Sequence, residues 1–310
     1  MKTTTLGRTG LEVSIAGLGC GGHSQLGMRL GLGEDHAVGI VHRAIDQGVT
    51  FIDTATWYST EPIVGRALRE LDSPTRERIV VSSKSGVVND GNLKSGAEYL
   101  ADLEASLDRL GLDCVDLYHL HGLGLDQYEH AAHEIVPALQ RAKEQGKLKH
   151  LAVSEMFERD TSHAMFQRAL PDNLFDVIMI GFHPLNPSAR RTVFPLTQQH
   201  NVGTLGMFAV RRALSRPERL REIVDELIDQ GRLDADAIDR HDPLSFLGNT
   251  MDAGYRFSAH EPGLDVVLFG TSNAEHLDAN IASINAEPLP TEQLAQLDKL
   301  FGAIDSVSGN

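Results

Sequence analysis

Four polar side chains stand at or just beyond the ends of short apolar segments, and together they could polarise a carbonyl group. They are Asp53, Tyr58, Lys84 and His121. A phenol has an unperturbed pKa of about 10, and a nearby ammonium such as Lys84 lowers it, which makes Tyr58 a better proton donor. Asp53 would hold that ammonium charged and oriented, and His121 could hydrogen-bond the substrate oxygen. Such a set could protonate a carbonyl oxygen while a hydride arrives at the carbon.

Each of these side chains has an ordinary structural explanation when it is taken alone. A strand-end aspartate such as Asp53 is often a helix cap, and an isolated Lys84 is more often a solvated charge. Tyr58 could cover a core edge beside Trp57, and His121 could be a structural histidine. Taken together, four consistent strand-end positions favour a shared function, because barrel enzymes place their reactive groups where strands end.

Other kinds of protein could use some of the same residues. His119 and His121 alternate along one segment, so they could ligate the metal of a barrel hydrolase, with Asp53 as a further ligand. Lys84 at a strand end could form a Schiff base in an aldolase or related lyase. A non-catalytic nucleotide-sensing subunit is a third alternative, which the occupied catalytic positions disfavour. The four-part pattern favours the carbonyl chemistry, and no metal site is predicted.

Repeated strand–helix units would bring these side chains to one rim, and the sequence supplies eight apolar segments for the strands. Most successive segments begin about 25–35 residues apart, the length of one such unit. Amphipathic stretches at 34–47, 99–110 and 217–230 lie between them and have helical spacing. The segments are Ala16–Cys20, Thr50–Thr54, Ile79–Lys84, Cys114–His121, His150–Ser154, Asp176–Ile180, Gly203–Met207 and Asp265–Phe269.

The predicted fold is a (β/α)₈ TIM barrel of the α/β class, formed by a single domain over residues 1–310. Apolar strands that alternate with helices indicate a parallel sheet covered on both faces, and eight units close a barrel. Thr3–Leu6 and Leu11–Ile15 flank a glycine-bounded turn, which predicts a β-hairpin ahead of the barrel. The longer interval before the last segment predicts inserted helices.

The glycine pattern of Gly17–Gly22 matches the phosphate-binding turn of a Rossmann domain, but its context does not. That mechanism needs a helix to open at the third glycine, where its N-terminus holds a pyrophosphate. A glycine-rich loop over His23–Gly33 is predicted instead. We interpret the glycines as allowing the first strand to end close to a ligand.

The overall charge and the cysteine count indicate which binding partners and which cellular compartment to expect. The net charge of −15 disfavours nucleic acid and anionic membrane surfaces as partners, because attraction to phosphate needs a basic face. We expect neither a membrane span nor a signal peptide, since no apolar run has the required length. Cys20 and Cys114 are far apart, and we interpret them as two isolated buried thiols in a reducing cytoplasm, although a disulfide stays open.

The motifs around the four polar residues resemble those of the aldo-keto reductases almost from end to end. They are Phe51-Ile-Asp-Thr-Ala-x-x-Tyr58, Ser83-Lys84, Asp116-Leu-Tyr-x-Leu-His121, Leu6–Ser14, Gly17-Leu-Gly19, Gly146–Ser154 and Phe269-Gly-Thr-Ser-Asn273 with Asn280. The resemblance implies an oxidoreductase with a catalytic tetrad at Asp53, Tyr58, Lys84 and His121. It also implies an NADP or NAD cofactor that binds without a Rossmann domain and a small carbonyl or alcohol substrate.

The same resemblance implies a set of residues that contact the cofactor. They are Gly19, Cys20, Asp53, Ser154, Glu155, Met179, Met207, Phe208, Gly270, Thr271, Ser272, His276 and Asn280. Two of them depart from the family pattern, because Glu155 stands where asparagine is usual and Met179 where glutamine is usual. Either Met207 or Phe208 could supply the surface under the nicotinamide.

The preference between the two dinucleotides stays open at this stage. Ser272 stands where NADP-preferring members often carry arginine, and a serine offers no cation for a 2′-phosphate. Arg211 and Arg212 could compensate from the seventh loop. The substrate loops are expected at 21–33, 122–128 and 211–247, with Trp57 as one apolar wall of the pocket.

Overall fold

Eight parallel strands close into the predicted barrel in the computed structural model, which describes residues 1–310. The strands follow one another around the barrel in chain order, and the eighth pairs with the first through Val267 and Ala16. The strands are Ala16–Gly19, Phe51–Asp53, Val80–Gly86, Val115–Leu123, Leu148–Glu155, Val177–Gly181, Gly203–Met207 and Val266–Phe269. Each coincides with a predicted segment to within two residues at either end, so the predicted fold class is confirmed.

Helices cover the outside of the barrel, as the amphipathic stretches predict. The α-helices are Glu34–Asp46, Glu61–Arg69, Ser73–Glu77, Gly96–Leu110, Tyr128–His130, Val136–Glu144, Ala164–Ala169, Ala189–Thr192, Phe194–His200, Arg212–Ser215, Pro217–Asp229, Thr250–Ala259, Ala274–Asn285 and Thr291–Phe301. The predicted insertion before the last strand consists of the three helices between 212 and 259.

Local sequence signals fix where individual helices begin and end. Ser95 caps the helix Gly96–Leu110 by accepting from the Glu98 backbone N–H, while the Glu98 side chain accepts from the Ser95 N–H. Gly111 ends this helix in the left-handed region at φ +66°, where a glycine carries no side-chain penalty. Its apolar face is buried through Leu103, Leu107 and neighbouring residues. Local sequence signals therefore set both ends of this helix, and its buried face packs against the third strand and the helices Glu61–Arg69 and Val136–Glu144.

A hairpin of Thr3–Thr5 and Glu12–Ser14 lies at the amino end of the barrel, as predicted. Leu6 and Val13 from the hairpin region belong to a separate apolar cluster, whose other members come from the barrel strands. Those members are Phe51, Val80, Leu117, Ala152, Val177, Met179, Leu205 and Val266. This apolar cluster fills the amino end of the barrel, so the opposite rim, at the carboxyl ends, is the one available for a ligand.

The structure corrects two details of the sequence analysis. Cys20 is buried, but Cys114 is only half-buried, and both thiols are free. The segment predicted as an irregular loop contains a 3₁₀ stretch, Gln25–Leu30, broken by positive φ angles at Leu26 and Gly27. The next α-helix begins only at Glu34, well beyond the third glycine of the Rossmann-like pattern. None of the helices combines the length and apolarity needed to cross a bilayer.

Candidate active site

A cleft of about 570 Å³ opens at the carboxyl ends of the strands, where the sequence analysis placed the site. Most of the predicted site residues line it. They are Gly19, Trp57, Tyr58, His121, Ser154, Glu155, Met179, Met207, Phe208, Gly270, Thr271 and Ser272. Cys20, Asp53, Lys84, His276 and Asn280 lie outside this lining.

Lys84 and Asp53 form a buried ion pair beneath the cleft. The Lys84 Nζ atom donates to Asp53 Oδ2 at 2.5 Å and to the Thr54 carbonyl at 3.0 Å. Ser82 donates to the other carboxylate oxygen at 2.8 Å. Burial by itself lowers the pKa of Lys84, but the Asp53 carboxylate and the nearby Tyr58 and Cys20 side chains together outweigh it, so the net shift is upward and the amine stays an ammonium. Asp53 therefore fixes both the charge and the position of this ammonium.

Tyr58 lies between this ammonium and the open cleft. The Lys84 Nζ atom is 5.2 Å from the centroid of the Tyr58 ring, on its face. Burial raises the pKa of the Tyr58 hydroxyl, and the Lys84 charge lowers it by less. The net shift of the Tyr58 pKa is therefore upward. This corrects the expectation from the sequence that the Lys84 ammonium would lower it. Gly21 makes room for the ring, because a Cβ there would lie 2.5 Å from a Tyr58 carbon.

His121 contacts the tyrosine hydroxyl from the fourth strand. Its Nε2 atom lies 3.3 Å from the Tyr58 oxygen. Burial and then the nearby Lys84 charge lower the pKa of His121 to about 3, so the ring is neutral at ordinary pH. Trp57 packs on this imidazole in a tilted arrangement with ring centroids 4.6 Å apart, yet the residue remains 58% exposed. The four tetrad residues therefore converge as the sequence predicts, and Trp57 forms a wall above them.

His119 does not join this group as a ligand. Its side chain is fully buried, and neither ring nitrogen has a hydrogen-bond partner. Burial holds the pKa of His119 well below its ordinary value. No group of three or more His, Cys, Asp or Glu side chains is arranged to hold a metal ion. The alternative Schiff-base role for Lys84 meets a different obstacle, because its amine is 1% exposed and already paired with Asp53.

The last two residues of the fifth strand, Ser154 and Glu155, both line the cleft but make different hydrogen bonds. Ser154 accepts a hydrogen bond from the Gly122 N–H at 2.8 Å, which ties the fifth strand to the end of the fourth. Glu155 is 3% exposed and is held from behind by His163 and by the Gly181 N–H. The cofactor-contact prediction includes Glu155 but not its partner His163.

Met179, Met207 and Phe208 line the side of the cleft formed by the sixth and seventh strands. One face of the Phe208 ring is covered by the Arg211 guanidinium, whose central carbon lies 3.7 Å from the ring centroid. Arg211 in turn pairs with Glu158 at 2.7 Å. Met207 and Phe208 are both half-buried, so either of the two predicted surfaces remains accessible from the cleft.

The closing motif lies at the end of the eighth strand. Gly270 approaches the first strand so closely that a Cβ there would be 2.9 Å from the Gly19 oxygen. The Ser272 carbonyl oxygen lies 2.7 Å from His36 Nε2, and Asn273 caps the helix Ala274–Asn285. This arrangement gives the cleft a narrow glycine-lined end followed by a helix N-terminus, which suits an anionic group.

Three of the residues predicted to contact the cofactor, His276, Asn280 and Cys20, do not line the cleft. His276 is exposed and Asn280 half-buried, on the helix that begins at Ala274. Cys20 is buried, and its backbone N–H donates to the Asp53 carbonyl at 2.8 Å.

Sequence reasoning missed several lining residues. They are Met156, Phe157, Glu158, Val210, Tyr255, Leu268 and Phe269. Tyr255 comes from an inserted helix, and no motif marks it. The two loops that were expected to contact substrate also contribute lining residues, which are Gly21, Gly22, His23, Ser24 and Gly122.

The lining fits a dinucleotide better than a small metal-bound substrate. The cleft runs from the Tyr58 hydroxyl to the glycine-lined end beside Thr271. Apolar side chains such as Met179 and Met207 can pack on a flat ring, and the capped helix beyond Asn273 can face a phosphate. The residues present therefore fit an extended nicotinamide dinucleotide.

Comparisons with known proteins agree with this geometry. A sequence model of the aldo/keto reductase family matches residues 18–301. L-galactose dehydrogenase from Arabidopsis thaliana is 30% identical over 209 residues, which make up 66% of this chain and 64% of that protein. The match thus spans less than two thirds of this relative's length.

Two solved structures have the same fold over nearly their whole length. The holo form of an aldo-keto reductase from Bacillus halodurans is 25% identical with a TM-score of 0.75, covering 98% of this chain and 97% of that one. An aldo-keto reductase from Klebsiella pneumoniae in complex with NADPH is 24% identical with a TM-score of 0.70, covering 99% and 98%. At that identity, the second likeness concerns the fold alone.

Proposed function

The chain belongs to the aldo-keto reductase family, and from that premise we propose that it is an NAD(P)-dependent oxidoreductase. It interconverts a carbonyl compound and the corresponding alcohol, with Tyr58 as the general acid or base. One observation carries the proposal: the Tyr58 hydroxyl in the cleft wall lies 3.3 Å from a neutral His121, and the buried Lys84 ammonium stands 5.2 Å from its ring.

A nicotinamide dinucleotide, when bound, supplies the hydride for reduction or accepts it in the reverse direction. Ser154, Glu155 and Met179 would hold the nicotinamide end, because they line the cleft on the side of the fifth and sixth strands. Thr271 and Ser272 would hold the phosphates beside the capped helix. Membership of the aldo/keto reductase family, whose model matches residues 18–301, supports this class of cofactor.

The proton in the reaction moves at the Tyr58 oxygen. In reduction, the carbonyl carbon gains a hydride, the carbonyl oxygen gains the Tyr58 proton, and a phenolate remains. The Lys84 ammonium stabilises that phenolate, because the opposite charge is held in a buried setting of low polarity. Asp53 keeps the ammonium in place through the 2.5 Å contact. In oxidation the same atoms act in reverse, and the phenolate takes the alcohol proton.

His121 orients the substrate and does not transfer the proton in this proposal. A ring whose pKa lies near 3 holds no proton to donate as an acid at neutral pH. It can still offer a neutral hydrogen bond to the substrate oxygen beside the Tyr58 hydroxyl. Trp57 packs on the imidazole and limits access of water to that side of the cleft.

A small hydroxylated carbonyl compound is the substrate class that the walls favour. The aromatic residues Trp57 and Tyr255 line the cleft, and His23 and Ser24 add polar groups from the loop after the first strand. Stacking surfaces with a few polar groups are suited to sugars and related aldehydes. The dehydrogenase relative is named for L-galactose, which supports beginning with aldoses.

The proposal is tested by absorbance of the reduced nicotinamide with a panel of substrates. L-galactose and other aldoses are offered with NAD⁺ and NADP⁺, and small aldehydes and ketones are offered with NADH and NADPH. We expect turnover with at least one pair, and turnover that persists with a chelator excludes a metallohydrolase. A chain that binds neither dinucleotide and turns over no member of the panel would contradict the proposal.

A further inference from the structure

Glu155 and His163 form a buried pair behind the nicotinamide end of the cleft. The Nδ1 atom of His163 lies 2.9 and 3.1 Å from the two oxygens of the Glu155 carboxylate. The backbone N–H of Gly181 donates to the same carboxylate at 2.8 Å. Both side chains are fully buried, although the residue Glu155 still forms part of the cleft lining. The carboxylate is thus fixed at the wall by N–H donors from two directions.

The pair carries one negative charge. His163 stacks on Phe157 with ring planes 15° apart, and its Nε2 atom is buried without a hydrogen-bond partner. An imidazolium would leave an N–H orphaned there, whereas a neutral ring that donates through Nδ1 leaves only an unused lone pair. Burial raises the pKa of Glu155 by more than the contacts from His163 and Gly181 lower it, so the net direction is upward. With His163 Nδ1 as the donor, no buried N–H is left without a partner and every contact to the carboxylate comes from an N–H, which fits the acceptor-only anion.

No other ionic group in the cleft is left without a partner of opposite charge. Asp53 is neutralised by Lys84 at 2.5 Å, and Glu158 by Arg211 at 2.7 Å. The lining contains no lysine or arginine that could neutralise Glu155. Glu155 is therefore the one excess charge beside the ring-binding end.

We propose that the anionic Glu155 binds the oxidised form of the nicotinamide more tightly than the reduced form, and so shifts the equilibrium in the bound complex toward the alcohol and the oxidised dinucleotide. The oxidised ring carries a positive charge and the reduced ring is neutral, so a nearby buried carboxylate attracts only the former. Hydrogen bonds to the ring's amide group and contacts to the phosphates are common to both forms. Their contributions cancel in the ratio of the two affinities, so this ratio reports the effect of the charge on the ring.

This inference rests on the proposed function, because it requires a nicotinamide in the cleft. In the favoured direction, the carbonyl carbon gains a hydride from the reduced ring and the carbonyl oxygen gains the Tyr58 proton. The products are the alcohol and the oxidised dinucleotide, and the Tyr58 phenolate regains a proton from solvent. The overall equilibrium in solution is unchanged, and only the bound species are redistributed.

The test is the affinity of each redox form for the purified protein and for Glu155→Gln. Glutamine keeps the shape and one acceptor oxygen for the N–H groups of His163 and Gly181, but it removes the charge. Dissociation constants of the reduced form are measured by fluorescence, and those of the oxidised form by competition against it. We expect the ratio Kd(oxidised)/Kd(reduced) to rise on the order of tenfold in the variant, which is about 1.4 kcal/mol.

Glu158→Gln is the matched control for the loss of a negative charge. Glu158 lines the same cleft, but its carboxylate is 55% exposed and paired with Arg211, so its charge is screened. We expect the affinity ratio of this control to remain within about twofold of the parent. An equal rise in both variants would overturn the assignment to Glu155.

A second variant covers the case in which Glu155→Gln does not fold. The double variant Glu155→Met, His163→Phe removes both polar groups together, and buried ion pairs replaced by apolar residues are often tolerated. It should show the same rise in the ratio. If the oxidised and the reduced dinucleotide both bind and neither variant changes the ratio of their dissociation constants, the inference is wrong while the proposed function stands. If the parent protein binds neither form, the proposed function fails and the inference fails with it.

Discussion

The hydroxyl of Tyr58 lies 3.3 Å from Nε2 of His121, and the two side chains come from different strand–loop units of the barrel. The histidine pKa is lowered to about 3 by burial and by the Lys84 charge. The contact therefore joins a phenol to a neutral imidazole. The imidazole carries no extra proton at ordinary pH, whereas the phenol holds one that it can pass to a carbonyl oxygen, so the proton chemistry is assigned to Tyr58.

The first prediction concerns the pH profile of carbonyl reduction. Because His121 is neutral above about pH 3, kcat/KM should show no limb from a histidine between about pH 5 and 9. It should fall only at basic pH, where Tyr58 loses the proton that reduction needs. Oxidation should show the opposite trend and rise with pH. An acidic limb near pH 6.5 that disappears in His121→Gln would contradict this account.

The second prediction concerns Lys84→Met. Removal of the ammonium removes the one contribution that lowers the Tyr58 pKa, so the basic limb of reduction should move to higher pH. Oxidation should lose about 10²–10⁴-fold in kcat, because the phenolate is no longer stabilised.

A folding defect must be separated from that effect, because Lys84→Met leaves Asp53 buried without its counter-ion. Loss of one partner of a buried pair costs about 3–5 kcal/mol. The double variant Asp53→Asn, Lys84→Met removes both charges and serves as the control. If the basic limb stays at the parent position in both variants, Lys84 does not tune the phenol.

The third prediction concerns the choice of dinucleotide. The cleft lining has no lysine or arginine, and Ser272 provides no cation for a 2′-phosphate. We therefore expect NADH to bind more tightly than NADPH. Ser272→Arg should increase the affinity for NADPH about tenfold through a charge-assisted contact, whereas Ser272→Met should not. Tighter binding of NADPH by the parent protein would contradict this expectation.

The strand ends were predictable from the sequence because their spacing carries most of the information. The segments ending in Asp53, Lys84 and His121 are short, apolar and regularly separated, and parallel strands bring their carboxyl ends to one rim. Tyr58 follows Asp53 by five residues, so its place above the same rim is fixed by a short connection.

Other features of the site depend on tertiary contacts, which the spacing of residues along the sequence does not predict. His163 reaches Glu155 from an irregular segment and adopts a left-handed φ of +63°, which is uncommon for a residue other than glycine and which no sequence motif here indicates. Tyr255 enters the cleft from an inserted helix. The upward shift of the Tyr58 pKa also escaped prediction, because burial is a property of the folded molecule.

A fourth prediction concerns stability at the amino end of the barrel, far from the cleft. Burial raises the pKa of Asp176, but contacts with His150, Lys143 and Arg8 outweigh it, and the net pKa lies well below the usual range. The Leu151 N–H also donates to this carboxylate at 3.3 Å. Asp176→Asn should therefore lower the free energy of unfolding by about 1–3 kcal/mol at pH 7.

The sign of the pH dependence follows from the lowered pKa. The stabilisation is fully present above the unfolded-state pKa of about 3.9 and is lost as the pH falls through the folded-state value. Urea unfolding of the parent and of Asp176→Asn at pH 7 and near pH 3 measures this pH dependence. Glu104→Gln, which breaks the exposed pair with Lys147, is the control, and we expect it to change the free energy of unfolding by less than about 1 kcal/mol. A constant difference between parent and Asp176→Asn at both pH values would contradict the assignment.

The most direct test of the central claim is Tyr58→Phe, measured for both turnover and dinucleotide binding. The variant removes one oxygen atom and leaves the ring against Gly21 and beneath the cleft. We predict that turnover falls by about 10²–10⁴-fold, while the dissociation constant of the reduced dinucleotide changes by less than about twofold. Unchanged turnover with the same binding would contradict the proposed proton transfer at Tyr58.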